Sequence, residues 1–306
     1  MCDVQARKTT SIRLSNGWRG VVRVPANGEG SSDCPALADW PAILSALCRD
    51  PASMDDYSLL KQSPDAQVVS ASMSWNGGAR HIIGKRDLVT GLAAKCVSAF
   101  RSSRARRNFD RALVLLRAGL RTAQPLAAIE RGAFKNDAWM VAQRVDGLID
   151  LDQVALMSLA RIDTARSRVI RNQGISAIVD FLVGLEQAGL SHRDLKASNI
   201  LLAGWDDAAT ETRVVLVDLD GLTARGEWNE QRRRKTLVRL AASLLEYPSI
   251  TRADYGRFLR QYITSIGDTR SKWKVLYRQL APQARNYVGR ARGRKKDKID
   301  GFGGIY

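Results

Sequence analysis

Apolar positions recur every second residue through much of the first half of the chain. In the second half they recur every three or four residues. Residues 13–24 (RLSNGWRGVVRV) alternate like a hairpin or strand pair. Residues 27–35 (NGEGSSDCP) are loop-forming through their Gly, Ser and Asp content, and 36–48 (ALADWPAILSALC) form a helix with a proline near its start. QVVSASM (67–73) and RHIIGKR (80–86) flank SWNGGA, whose Asn-Gly-Gly is a hairpin turn signal. In SSRARRNFDRALVLLRAGL (102–120), Ala105, Phe109, Ala112, Leu113 and Leu116 share one helical face. Ser102 or Ser103 is placed to cap that helix and Gly119 to stop it. PLAAIER (125–131) and AWMVAQRV (138–145), separated by GAFKND, read as two more strands.

After Asp146-Gly147 the pattern turns helical. Residues 167–190 carry Ile170, Ile175, Ile178, Val179, Leu182 and Leu185 on one face and end at Gly189. TRVVLVDLDGL (212–222) is a buried strand running into a turn, and 229–306 are mostly helical, ending in a basic, Gly-containing tail. There is no internal repeat. The pattern predicts an α+β chain of two lobes: an antiparallel sheet with one main helix, then a mostly helical lobe. The divisions are an N-terminal extension (1–56), a first lobe (57–145), a second lobe (146–288) and a basic tail (289–306).

The 306 residues are enough for a sizeable core, and 45% are hydrophobic, as in a folded globular protein. No run approaches the roughly 18 uncharged apolar residues that span a bilayer. The N-terminus MCDVQARKTTSIRL lacks the apolar segment of a secretory signal, so the expected location is cytoplasmic. The four cysteines, Cys2, Cys34, Cys48 and Cys96, form no CxxC pair, and there are two histidines, which argues against zinc and against a disulfide framework. The net charge of +17 implies an anionic partner, which changes the picture more than the rest of the composition. It is concentrated in RSSRARR (101–107), RRRK (232–235) and GRARGRKKDK (289–298). Nucleic acid, an anionic membrane surface and phosphorylated glycans all fit charge alone.

Chemistry concentrates in LSHRDLKASNILL (190–202), a polar cluster in an apolar frame. Phosphoryl transfer needs a carboxylate to orient and deprotonate a hydroxyl, oxygen ligands for metal, and a cation at the phosphates. Asp194 is the candidate base, Lys196 can reach the γ-phosphate, and Asn199 offers an amide oxygen to a metal. His192 would organise the loop through hydrogen bonds. The spacing matches the protein-kinase catalytic loop H-R-D-L-x-x-x-N. About twenty residues after Asn199, Asp218-Leu219-Asp220 stands where a kinase has D-F-G. Asp218 is the candidate magnesium ligand, and Asp220 is either a second ligand or a turn-capping residue before Gly221. Lys85 in HIIGKR occupies the place of the phosphate-binding strand lysine, with Arg86 pointing to the opposite face. Its helix partner falls at Asn108, with Asp110 the nearest carboxylate. Leu201, in the apolar run after Asn199, completes the nucleotide-binding set. The stretch LLKQSPDAQVVSAS, where a phosphate loop belongs, contains no glycine; Ser63 and backbone N–H groups are the substitutes.

These motifs, with SSRARRNFDRALVLLRAGLRTAQPLAAIER and the later DYGRFLRQY, resemble the lipopolysaccharide core kinases (Kdo and heptose kinase type) across about residues 65–265. That resemblance implies a protein-kinase-like fold, ATP and Mg2+ as cofactors, and a sugar hydroxyl of an anionic glycolipid as acceptor. It also implies peripheral contact with the cytoplasmic face of the inner membrane, and no nucleic-acid partner. Two alternatives stand beside it. A protein serine/threonine kinase would also suit Lys196, but the short span from Asp218 to the helix expected near Trp228 leaves little room for an activation loop. A non-catalytic kinase-like module binding anionic lipid would suit Asn108 and the glycine-free loop, against the intact Asp194, Asn199 and Asp218.

Overall fold

The computed structural model describes residues 7–25, 34–91, 100–132, 137–157, 165–205, 209–224 and 229–300. Most of the loop expected at 27–35 and of the GAFKND link lies outside them. The chain divides into two compact units: residues up to 146 without 118–121, and 118–121 with everything from 147 on.

The first unit is built on seven antiparallel strands, in the order β1-β2-β6-β7-β5-β4-β3. They are β1 (Arg7–Arg13), β2 (Trp18–Pro25), β3 (Ser58–Ser63), β4 (Ala66–Trp75), β5 (Gly78–Leu88), β6 (Pro125–Arg131) and β7 (Asp137–Gln143). The β4–β5 turn runs through Asn76 (φ 52°) and Gly77 (φ 74°), the two consecutive left-handed residues that a two-residue hairpin requires. Residues 7–25 form a hairpin whose second strand pairs with β6, so the N-terminal segment continues the sheet.

Alternation gives the sheet two apolar faces. On one, Val22, Val24, Val69, Ile82, Trp139 and Val141 bury against Trp40, Leu44 and Leu47 of α1 (Trp40–Arg49). The Trp40 indole donates to the Arg23 carbonyl at 3.0 Å and locks α1 to β2. On the other, Val21 and Ala128 meet Phe109 of α2 (Arg104–Arg117). Ser103, rather than Ser102, caps α2, accepting from the Arg106 N–H at 3.1 Å. Gly119, with φ 75°, follows its last turn.

In the second unit, β8 (Leu148–Asp150) leads directly into α3 (Leu151–Met157). The long α4 (Ala165–Gln187) then leads through Gly189 (φ 65°) to β9 (Leu190–His192). β10 (Ile200–Ala203) pairs with β8 and with β11 (Arg213–Leu216), and β12 (Leu222–Ala224) pairs with β9. Three helices follow: α5 (Glu230–Leu244), α6 (Arg252–Ser265) and α7 (Trp273–Asp300). α7 carries the chain through the basic stretch beyond residue 289.

α4, α5 and α6 are tied together at Glu186. Its carboxylate takes the Arg233 guanidinium at 2.7 Å and the Tyr262 hydroxyl. A carboxylate this buried needs such partners, since an unpaired one would lose its hydration without replacement. α6 starts on a reciprocal cap between Thr251 and Asp254.

Candidate active site

Gly189 ends α4 in a left-handed turn and delivers the chain into β9, so His192 enters the interior at the end of a strand. His192 is 1% exposed, and its Nε2 lies 3.0 Å from the Asp218 carbonyl. The Arg193 N–H donates to the Gly221 carbonyl at 2.9 Å. The Asn199 Nδ2, five residues after Asp194, donates to the Asp194 carbonyl at 3.0 Å, and the Val217 N–H donates to the Asn199 carbonyl at 3.0 Å. Three of these bonds join two segments some twenty residues apart into one scaffold, and the fourth, Asn199 to Asp194, closes the first segment on itself. They bring His192, Asp194, Asn199 and Asp218 into a single hydrogen-bonded neighbourhood.

The scaffold orients the candidate groups. Because the Asn199 amide nitrogen is committed to Asp194, its oxygen is the end turned elsewhere. Asp218 is exposed and has φ 55°, a left-handed conformation that asparagine and aspartate adopt more readily than other non-glycine residues. The bond from its carbonyl to His192 fixes the backbone of this turn. Asp220 is half-buried in the short 3-10 turn Leu219–Gly221. The Asn199 amide oxygen and the Asp218 and Asp220 carboxylates are hard oxygen donors, a chemistry that suits Mg2+ and not a soft metal.

Gly221 is a structural requirement that the sequence pattern did not single out. A Cβ there would lie 2.8 Å from the His192 Cε1, 3.1 Å from its Nε2 and 3.2 Å from the Asp194 backbone nitrogen. Those atoms belong to a ring and a backbone that cannot swing aside. Gly221→Ala is therefore expected to destabilise the protein by about 1–3 kcal/mol, the usual cost of overpacking. Urea denaturation checks it.

Two helices beyond the loop contribute groups that sequence reasoning missed. From α5, the Ser243 hydroxyl accepts the Ala197 N–H at 2.9 Å, and one turn earlier the Arg239 guanidinium lies 3.2 Å from the Asp194 carboxylate. Residues 239 and 243 share a helix face, so one side of α5 backs the whole loop. From the start of α3, Asp152 hydrogen-bonds Tyr247 and feels the charge of Lys196. Burial pushes the Asp152 carboxyl above its usual range, with the Tyr247 bond and the Lys196 charge pulling the other way. Burial, with the Asp152 charge second, pushes the Tyr247 phenol up to about 12. Asp150 caps α3 by accepting the Gln153 N–H at 2.7 Å. Leu201 is half-buried on β10, paired with Asp150 and Val215.

In the first unit, Lys85 lies on β5, opposite Val68 and Met140. Alternation puts it on the α2 face. Neighbouring Arg86 goes to the other, bonding Asp137 at 2.7 and 2.8 Å and stacking on Trp139. On α2, Asn108 is 3% exposed among the sheet-facing positions Ala105, Phe109 and Ala112. Asp110 is half-exposed and bonds Arg106 at 3.0 Å. Two residues turn a helix by about 200°, so Asp110 cannot share Asn108's face. Of the two residues considered as partners for Lys85, the sheet-facing one is the amide. Ser63 lies at the tight β3–β4 turn, its hydroxyl bonded to Asp65 and to the Ala66 carbonyl.

The antiparallel sheet with α2 on one face, and the stitched loop at the head of a helical unit, define a kinase of the protein-kinase-like fold. Among solved structures, the chain is similar to "WaaP in complex with acyl carrier protein", with a TM-score of 0.55 and 20% identity over 76% of this chain and 88% of that one. It is also similar to the PknI kinase domain of Mycobacterium tuberculosis, with a TM-score of 0.41 and 17% identity over 75% and 98%. No curated protein sequence matches it. The pattern of the lipopolysaccharide kinase (Kdo/WaaP) family matches residues 86–262, more than half of the chain, and the chain belongs to that family. It is a phosphotransferase. The matched span includes α2, the loop and the Asp218 turn, and begins one residue after Lys85.

Proposed function

We propose that this kinase transfers the γ-phosphoryl group of ATP, with Mg2+, to a sugar hydroxyl of a lipopolysaccharide core-like glycolipid. The observation that supports the reading is the hydrogen-bonded loop, in which the Asp194 backbone is tied to Asn199 and the Asp218 backbone to His192 while the Asp194 carboxylate stays half-exposed. Asp194 accepts the proton of the acceptor hydroxyl as the new oxygen–phosphorus bond forms. The bond from the γ-phosphorus to its bridging oxygen breaks, and its electron pair leaves on ADP. Bound Mg2+, held by Asn199 and Asp218, would supply charge neutralisation at the phosphates. Lys196 and Lys85 are assigned to phosphate oxygens, Leu201 to the nucleotide base, and His192 to holding the loop.

The +17 charge suits an acceptor that carries phosphates and carboxylates, and supports peripheral attachment to an anionic leaflet. No helix among the described residues is long and apolar enough to cross a membrane. Incubation with γ-labelled ATP, Mg2+ and either deacylated core glycolipid or a generic protein substrate tests the assignment. Label is expected in the glycan and absent with Asp194→Ala; label in protein alone would overturn it.

A further inference from the structure

Arg239 is outside the H-R-D-L-x-x-x-N loop, yet touches the atom on which the chemistry depends. Its Nη1 lies 3.2 Å from Oδ1 of Asp194. A base waiting for a hydroxyl gains nothing for its task from a guanidinium on one of its two oxygens. Arg239 is also not a loose surface side chain that happened to fall there. Its guanidinium carbon sits 4.3 Å from the centre of the Tyr287 ring on α7, within cation–π range. Its helix is pinned to the same loop through Ser243 and Ala197. The guanidinium therefore has one support, Tyr287, that does not depend on Asp194.

That arrangement has a chemical use. A guanidinium presents five N–H donors in a planar fork, and one carboxylate oxygen engages only part of them. The pair is partly solvated, with the two side chains 30% and 45% exposed, so an incoming anion can compete for Arg239 at little cost. An anion that takes the fork leaves Asp194 to accept the hydroxyl beside it, while Tyr287 holds the guanidinium in place.

We propose that Arg239 is an acceptor-recognition residue: its fork binds a carboxylate or phosphate carried by the acceptor next to the hydroxyl that Asp194 activates. Tyr287 is the positioning residue beneath it. The inference rests on the kinase reading above and narrows its acceptor. A sugar bearing an acidic group close to the reacting hydroxyl is selected over a neutral one.

The test uses the full chain with γ-labelled ATP, Mg2+ and two acceptors. One is deacylated core glycan. The other is the same glycan with its carboxylates reduced to alcohols and its phosphates removed. Wild type is expected to prefer the acidic glycan. Arg239→Ala is expected to raise KM for it about ten- to hundredfold, the value of one charge-assisted contact, and to leave KM for ATP unchanged. Arg239→Lys should recover part of the loss, and Tyr287→Leu should raise KM for the acidic glycan by a smaller factor. Arg239→Ala should raise KM for the neutral glycan by a smaller factor than for the acidic one, so that the preference between the two collapses. An unchanged preference in Arg239→Ala overturns the proposal and leaves the kinase reading intact. So does a rise confined to KM for ATP, which would assign Arg239 to the nucleotide. No transfer by wild type to either glycan overturns both.

Discussion

Asp194→Asn is expected to lower phosphoryl transfer to glycolipid by about 10²- to 10⁴-fold, the contribution of a positioned general base. An amide keeps the size and the backbone bond to Asn199, but it cannot take the acceptor proton. The fold should survive. The side chain is 45% exposed, and its ionic partner Arg239 is partly solvated, so the melting free energy should change by no more than about 1 kcal/mol. ATP affinity should be retained. A single-turnover assay with excess enzyme, run beside thermal unfolding, separates the two effects. Transfer at the wild-type rate by a folded Asp194→Asn would remove Asp194 from the mechanism.

Asp218→Asn should act on a different step. Asparagine tolerates the left-handed backbone at this position, so the turn and its carbonyl bond to His192 are preserved. What is lost is the negative charge assigned to the metal in the proposed function. Magnesium prefers carboxylate oxygen and binds proteins through few ligands, so losing one is severe. The Kd for ATP in excess Mg2+ is expected to rise at least about tenfold, while binding measured with a chelator present stays the same. Equal loss under both conditions would show that Asp218 supports the loop rather than the metal. Asp220→Asn in the same titration separates its two readings. A comparable shift makes it a second ligand, and an unchanged metal response makes it a turn residue.

Both expectations depend on residues recognisable in the linear sequence, because the loop's chemistry is local. His192, Asp194, Lys196 and Asn199 fall within eight positions, and a tight turn followed by a short strand leaves few ways to arrange them. The β4–β5 hairpin was equally readable: Asn76 and Gly77 are residues that populate the left-handed region a two-residue turn demands. The helix that became α2 showed its cap and stop for similar reasons. Its inner face was harder. Periodicity placed Ala105, Phe109 and Ala112 toward a core, and only the sheet packed against them shows Asn108 among them while Asp110 pairs outward with Arg106.

What the sequence by itself determined is therefore the alternation that builds a sheet, the periodicity that builds the helices, and the catalytic-loop spacing, all carried by residues a few positions apart. The tertiary structure alone decided which distant groups meet them. It joined β2 to β6 across more than a hundred residues, so that the N-terminal segment extends the sheet. It brought Arg239 and Ser243 of α5 onto the loop, Asp152 within the field of Lys196, and Gly221 against His192. None of these has a signature in spacing. A salt bridge or close contact between residues tens of positions apart depends on how whole elements pack. Packing is set by the sum of many apolar contacts, each individually small, rather than by the few polar residues it brings together.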